Sequence, residues 1–184
     1  MQIIRDRGEL DAALEALRAD GGAVAMVPTM GALHAGHMAL VEEARRRAAH
    51  VVVSIFVNPT QFGANEDLSR YPRREGSDAQ MLGAADVAIL WAPDVDTMYP
   101  NGPEASVKAG SAAQGLDGDS RPGHFDGVAT VVARLFEQVK PDVAVFGEKD
   151  YQQLLVIRQM VAARKLKVEI VGLPTQRDAD GLAL

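Results

Sequence analysis

Apolar and polar positions along this chain follow two periods in turn, one helical and one extended. Over residues 8–19, Leu10, Leu14 and Leu17 recur on one helical face, and Gly21-Gly22 ends the run. Residues 23–27 are almost wholly apolar and predict a buried strand. From residue 36 to 49 the helical period returns. Leu40, Val41, Ala44 and Ala48 share one face, and Glu42/Arg46 and Glu43/Arg47 form i,i+4 pairs in the favourable order on the other. Residues 51–57 are a near-continuous apolar run rich in β-branched side chains, the pattern of a central parallel strand. Residues 23–57 therefore predict one βαβ unit with a right-handed crossover.

The alternation continues with a helix over 78–84, a strand over 86–91, and a helix over 126–138 that turns Val128, Val131, Val132, Leu135 and Val139 inward. A strand over 142–146, a helix over 151–163 and a strand over 168–171 follow. Strands and helices in alternation predict an α/β domain, a doubly wound parallel sheet with helices on both faces. Residues 92–125 interrupt the rhythm. They are rich in Gly, Pro, Asp and Ser and predict loops, with a short hairpin at 106–109. Loops of that length in a compact domain usually serve function. Tyr71-Pro72-Arg73-Arg74 predicts an exposed turn, and Trp91 a packing residue at a strand end.

A length of 184 residues suits one such domain, and 47% hydrophobic residues can fill its core. The net charge of −6 argues against general binding to nucleic acid or to an anionic membrane, so any phosphate site must be built locally. The absence of cysteine excludes disulfides, thiol catalysis and cysteine-ligated metals. Arg5, Asp6, Arg7, Glu9 and Asp11 leave no apolar signal-peptide core, and no run reaches the ~18 apolar residues of a spanning helix. A cytoplasmic location is expected.

The chemistry concentrates where strands hand over to helices. Met30-Gly31-Ala32-Leu33-His34-Ala35-Gly36-His37 follows the strand over 23–27 and opens a helix. That edge of a parallel sheet binds ligands, and a helix N-terminus there is expected to offer free N–H groups to phosphate. His34 and His37, three apart, can face one side and donate to phosphate oxygens; the alternative is that one caps the helix and the other packs. Asn58 and Gln61 follow the next strand, either as uncharged ligands for a carboxylate or hydroxyl or as part of an Asn-Pro turn. In Gly147-Glu148-Lys149-Asp150, Lys149 is a point charge suited to phosphates, and Asp150 either caps the next helix or helps hold a magnesium ion through water. Arg121–Phe125 reads either as a phosphate-side loop or as a surface turn.

These stretches resemble the HIGH-type motif of the nucleotidylyl transferase superfamily and, more narrowly, the AMP-forming pantoate–β-alanine ligase family. The resemblance rests on the residue 29–37 motif together with Val57-Asn58-Pro59-Thr60-Gln61-Phe62, Arg121-Pro122-Gly123-His124-Phe125-Asp126-Gly127-Val128 and Phe146-Gly147-Glu148-Lys149-Asp150-Tyr151-Gln152-Gln153, in that order along nearly the whole chain. It implies a Rossmann-like fold of the nucleotidylyl transferase type. It also implies the ATP-dependent condensation of pantoate with β-alanine through a pantoyl adenylate, with Mg²⁺ accompanying ATP and a homodimer as the assembly. On this resemblance Met30 to His37, Gly147 to Asp150 and Gln176 hold ATP, and His37, His34 and Lys149 are the catalytic groups. Gln61 and Gln153 hold pantoate, Gln61 also lies near β-alanine, and Asn58 is a third substrate candidate. The proton of the β-alanine amine goes either to His37 or to a phosphate oxygen of the adenylate. In the family a Ser-Ser-Arg-Asn stretch and a small C-terminal domain follow, so residues 1–184 are expected to be the N-terminal catalytic domain, with little turnover alone. Gln176 is more polar than the adenine side leads one to expect. Two alternatives stay open: another transferase sharing the histidine motif, and a domain that binds ligand or dimerises without turnover.

Overall fold

A computed structural model describes residues 1–63, 71–72 and 74–184. Among them the chain runs β1 (Gln2–Ile4), α1 (Arg7–Arg18), β2 (Val24–Thr29), α2 (Ala35–Arg47), β3 (His50–Ile55), α3 (Glu75–Ala84), β4 (Ile89–Trp91), α4 (Val95–Met98), α5 (Asp117–Ser120), α6 (His124–Val139), β5 (Val143–Gly147), α7 (Tyr151–Arg164) and β6 (Glu169–Leu173). The strands form one parallel sheet in the order β1-β4-β3-β2-β5-β6. Successive strands step outward from β2 to β3 and β4 on one side, then resume on the other with β5 and β6. The topological switch point, where ligands bind in open α/β sheets, therefore lies between the carboxyl ends of β2 and β5.

Strand periodicity divides the core into two layers. Val24 and Met26 of β2 join α1, α6 and α7 on one face, while Ala25 and Val27 join Val41 and Ala44 of α2 and Leu82 of α3 on the other. These four β2 side chains have no solvent exposure, as a central parallel strand requires. Asp6 caps α1 by accepting from the Glu9 N–H, and the two expected pairs on α2, Glu42–Arg46 and Glu43–Arg47, form on its outer face. Trp91 is fully buried and its Nε1 donates to Gln138. None of the described helices is long and apolar enough to cross a membrane.

Two features differ from the pattern-based reading. Strand β1 escapes it, because three edge residues are too few to show a period. The hairpin expected at 106–109 is absent. Instead the segment is held along α6 by side chains: the Val107 N–H donates to Thr130 Oγ1 at 2.9 Å and the Ala109 N–H to Asp126 Oδ1 at 2.7 Å, with Lys108 paired to Asp126. The long loop also contains α4 and α5, and a 3₁₀ turn at Ser111–Ala113. Arg73 of the expected 71–74 turn lies outside the described residues.

Thr130 has no solvent exposure, so replacing its hydroxyl strands the Val107 N–H. Thr130→Val should lower unfolding free energy by about 1–3 kcal/mol, measured by urea denaturation; a loss below about 0.5 kcal/mol would show that the 107–109 segment is held by something else.

Candidate active site

At the switch point, the ends of β2 and β5 and the turns that follow them enclose a cavity of about 370 Å³. That size suits a small-molecule ligand. Met30, His34, Gly36 and His37 line it from the β2 side, Gly147, Lys149, Asp150 and Gln153 from the β5 side, and Gln61 from beyond β3. Gln176 closes one end, with its Nε2 donating to the Pro174 carbonyl. Val128, Val131, Val132, Leu135 and Phe146 supply an apolar wall, and Tyr71, expected on an exposed turn, lines the cavity as well. Most of the candidate residues scattered along the sequence thus meet in one place.

The histidine motif is arranged differently from the expectation. Five of its backbone N–H groups are already engaged. Those of Ala32 and Leu33 donate to the two carboxylate oxygens of Asp78 at 2.8 and 2.9 Å, and that of Gly31 to Thr29 Oγ1 at 3.2 Å. The Gly36 N–H donates to His34 Nδ1 at 3.1 Å, and the His34 N–H to His37 Nδ1 at 3.4 Å. The two histidines therefore cap α2 reciprocally, and both also line the cavity. Gly31, Ala32, Leu33 and Ala35 form the framework of the motif and do not line the cavity.

This capping has a chemical consequence. An Nδ1 that accepts a hydrogen bond carries no proton, which assigns the ring proton of each neutral imidazole to Nε2. The rings lie 4.1 Å apart between centroids, tilted by 58°. Burial first, and then the neighbouring His34, lower the His37 pKa to about 4; Asp78 pulls the other way, and Lys149 adds a smaller lowering. Near neutral pH His37 is thus an uncharged Nε2–H donor.

Lys149 stands in a 3₁₀ turn, Glu148–Asp150, between β5 and α7, and its Nζ donates to the main-chain oxygen of Leu184 at 3.0 Å. Glu148 does not line the cavity. Asp150 holds the N-cap position of α7 without a side-chain cap bond, which leaves its carboxylate at the cavity wall. Among the described residues no group of three or more His, Asp or Glu could hold a metal. A single exposed carboxylate fits magnesium, which takes one or two carboxylates and fills its other positions with water and phosphate oxygens.

Asn58 does not act as expected of a substrate ligand. It is 1% exposed and lies behind the cavity. Its Oδ1 accepts from Tyr99 Oη at 2.6 Å and Thr60 Oγ1 at 3.0 Å, and its Nδ2 donates to the Gly127 carbonyl at 3.2 Å and to Gln61 Oε1 at 3.1 Å. Gln61 is thereby turned with its carbonyl inward and its Nε2 toward Met30 and the cavity. Gly127 permits this packing: a Cβ there would sit 2.3 Å from the Thr60 carbonyl oxygen. Gln153 makes no side-chain hydrogen bond among the described residues and offers both ends of its amide. The Arg121–Phe125 stretch contributes Arg121, His124 and Phe125 to a neighbouring cavity shared with Met30, Gln61, Lys149 and Gln153. It leads into α6, where His124 Nδ1 donates to the main-chain carbonyl of Gln61 at 2.9 Å and Arg121 reaches His124 Nε2 at 3.1 Å.

Four contributors escape the sequence reading: Asp78, Tyr71, the apolar wall from α6, and the inward role of Asn58. Asp78 is 45 residues from the nearest group it binds, so no local spacing could have revealed it.

Residues 2–184 match the family model described as pantoate-beta-alanine ligase. The pantothenate synthetase of Rhizorhabdus wittichii is 61% identical over 184 residues, covering all of this chain and 65% of that protein. Among solved structures, a pantothenate synthetase of Thermus thermophilus is 53% identical, with a TM-score of 0.93 over the whole chain and 65% of its own length. The pantoate-beta-alanine ligase of Francisella tularensis, solved with beta-gamma ATP and beta-alanine, is 39% identical with a TM-score of 0.95, over the whole chain and 70% of its own length. The chain thus spans about 65% of the length of the first curated relative it matches.

With its pKa lowered from 6.5 to about 4, His37 is neutral in the fold at pH values where the unfolded chain binds a proton. Stability contributed by this group is full above about pH 6.5 and falls as pH drops toward about 4. His37→Gln should flatten the loss of stability between those limits in urea denaturation at stepped pH. Parallel wild-type and variant profiles would contradict the neutral assignment.

Proposed function

Since this chain belongs to the pantoate-beta-alanine ligase family, we propose that its cavity serves the ATP-dependent joining of pantoate to β-alanine through a pantoyl adenylate. The observation that carries the reading is the convergence of two sets of polar side chains on one cavity at the switch point. His34, His37 and Lys149 suit a polyphosphate, with Asp150 suited to its magnesium ion, and Gln61 and Gln153 suit an uncharged hydroxyl and a carboxylate.

In the first step a pantoate carboxylate oxygen bonds to the α-phosphorus of ATP as the bond to pyrophosphate breaks. A carboxylate with a pKa of roughly 3.5 is already ionised at neutral pH, so no general base is needed. The step needs alignment of two anions and stabilisation of charge on the phosphoryl oxygens. The Nε2–H groups of His34 and His37 and the Lys149 ammonium are suited to that role. Gln61, with its carbonyl held by Asn58, presents Nε2–H to the acid substrate, and Gln153 completes the grip. Asp150 would hold magnesium through water. Bound there, the ion would neutralise phosphate charge and favour departure of pyrophosphate.

In the second step the β-alanine nitrogen attacks the acyl carbon and AMP leaves. The ammonium, with a pKa of roughly 8 to 10, must first lose a proton. A His37 with a pKa of about 4 is too weak a base for that, and its Nδ1 is already engaged by the His34 N–H. The phosphate oxygen of the adenylate is a weaker base still, so basicity does not choose between the two candidate acceptors. The apolar wall from α6 would keep water from the acyl adenylate. The same proposal places residues 1–184 as the Rossmann-like catalytic part of the enzyme, with a homodimeric state and a cytoplasmic setting expected from the family.

Pantoate-dependent release of pyrophosphate from ATP, measured beside calorimetric binding of each substrate, tests the assignment. His37→Ala should slow release by about 10²–10³-fold while pantoate affinity stays within about twofold. Unchanged release would remove His37 from the reaction. Gln61→Ala should weaken pantoate binding by about tenfold, the worth of one or two hydrogen bonds. A change in ATP binding alone would mean that Gln61 does not hold the acid.

A further inference from the structure

Asp78 is a 2% exposed carboxylate whose two oxygens are both committed to adjacent backbone N–H groups, those of Ala32 and Leu33. The backbone offering them is left-handed at two successive residues, Gly31 with φ 87° and Ala32 with φ 52°. Successive N–H groups in such a turn converge into a concave nest that takes an anion. In a site for a polyphosphate the simplest occupant would be phosphate. Here the occupant is the protein's own carboxylate, brought from α3.

Holding the turn needs such a partner. Gly31 tolerates a positive φ, but Ala32 does so against the clash of its own Cβ. Two charge-assisted hydrogen bonds are the strongest local groups available to fix it. The packing is close: a Cβ on Gly31 would lie 3.2 Å from Asp78 Oδ2 and 3.1 Å from Ile55 Cγ2. Immediately after this turn come His34 and the first residue of α2, so the direction of both imidazoles follows from the turn.

We propose that Asp78 is the positioning residue of the nucleotide motif: its carboxylate fills the Ala32–Leu33 nest, locks the turn that aims His34 and His37 into the cavity, and keeps phosphate out of the nest. The aiming role rests on the reading of the cavity as an ATP site; the filling of the nest does not. A second cavity of about 340 Å³ lies behind the turn, lined by Gly31 and Asp78 and also by Arg5 and Arg74. Without the carboxylate, the nest would open toward that cavity, which Glu75 and Asp94 also line and where Arg5 is paired with Glu75, so a phosphate entering there would be held chiefly by the freed Ala32 and Leu33 N–H groups.

The test compares wild type, Asp78→Asn and Asp78→Ala by backbone amide NMR and titration calorimetry. Asp78→Asn keeps the shape and one acceptor but loses the charge. Its Ala32 and Leu33 amide protons should move upfield, and its ATP affinity should fall by about tenfold with pantoate affinity within about twofold. In Asp78→Ala, millimolar inorganic phosphate should shift the Ala32 and Leu33 amides, and in wild type it should not. Three results would overturn the proposal: amides unmoved in Asp78→Asn, equal losses of ATP and pantoate affinity, or a phosphate response at those amides in wild type. If Asp78→Ala fails to fold, the Asp78→Asn amide shifts and affinity ratio decide. A wild-type chain that binds no ATP would instead strike the reading of the cavity, and the amide and phosphate arms would still judge Asp78.

Discussion

Strand β2 is hydrogen-bonded on both sides, to β3 along its full length and to β5 through Ala25 and Met26. The chain leaving β2 turns to one side and returns later on the other. Because all the strands are parallel, the two connections that flank this division, β2 to α2 and β5 to α7, open on the same edge. The crevice between them cannot be filled by a crossing connection, and it is where the cavity lies. The fully buried β2 residues that pin the strand in both core layers also fix the position of Met30, the first residue beyond it.

A second constraint is charge. The chain carries a net −6, yet the proposed site must take up two anions at once. The structure meets part of this need with neutral donors. Five of the motif's backbone N–H groups are engaged by Asp78, Thr29 and the histidines' own Nδ1 atoms, and the side chains that line the cavity include the two imidazoles, Lys149 and the amides of Gln61 and Gln153. Neutral donors in a site walled by Val128, Val131, Leu135 and Phe146 need no counter-charge in the empty state, and the apolar wall strengthens them when the ligand binds. The low pKa of His37 is the same fact seen through titration.

The layered fold was legible because its signals are local: apolar runs of strand length, helical faces on α1, α2 and α6, and glycine where turns need it. Boundaries moved by a few residues, as when β3 proved to be His50–Ile55 and α6 to begin at His124. The roster of the site was mostly legible too, because residues that follow parallel strands share an edge. Its internal wiring was not. Asn58 reads as a turn residue or a ligand until α6 presses Gly127 against the Thr60 carbonyl and buries it. Segment 107–109 has the pattern of a strand, but its amides go to side chains of Thr130 and Asp126. Asp78 meets the motif only through the tertiary fold, and nothing near it in sequence announces a partner.

The central claim is that phosphate meets imidazole Nε2–H groups, set by reciprocal capping, and not the backbone of the motif. The nitrogen shifts of His34 and His37, read by long-range ¹H–¹⁵N NMR at neutral pH with and without ATP, test it most directly. The account predicts that in the free protein His37 is neutral and that each ring accepts at Nδ1 and carries its proton on Nε2. On addition of ATP the Nε2 signals should move while the Ala32 and Leu33 amides stay in place. Rings protonated on Nδ1, or an ATP response carried by those two amides with the imidazoles unmoved, would contradict it.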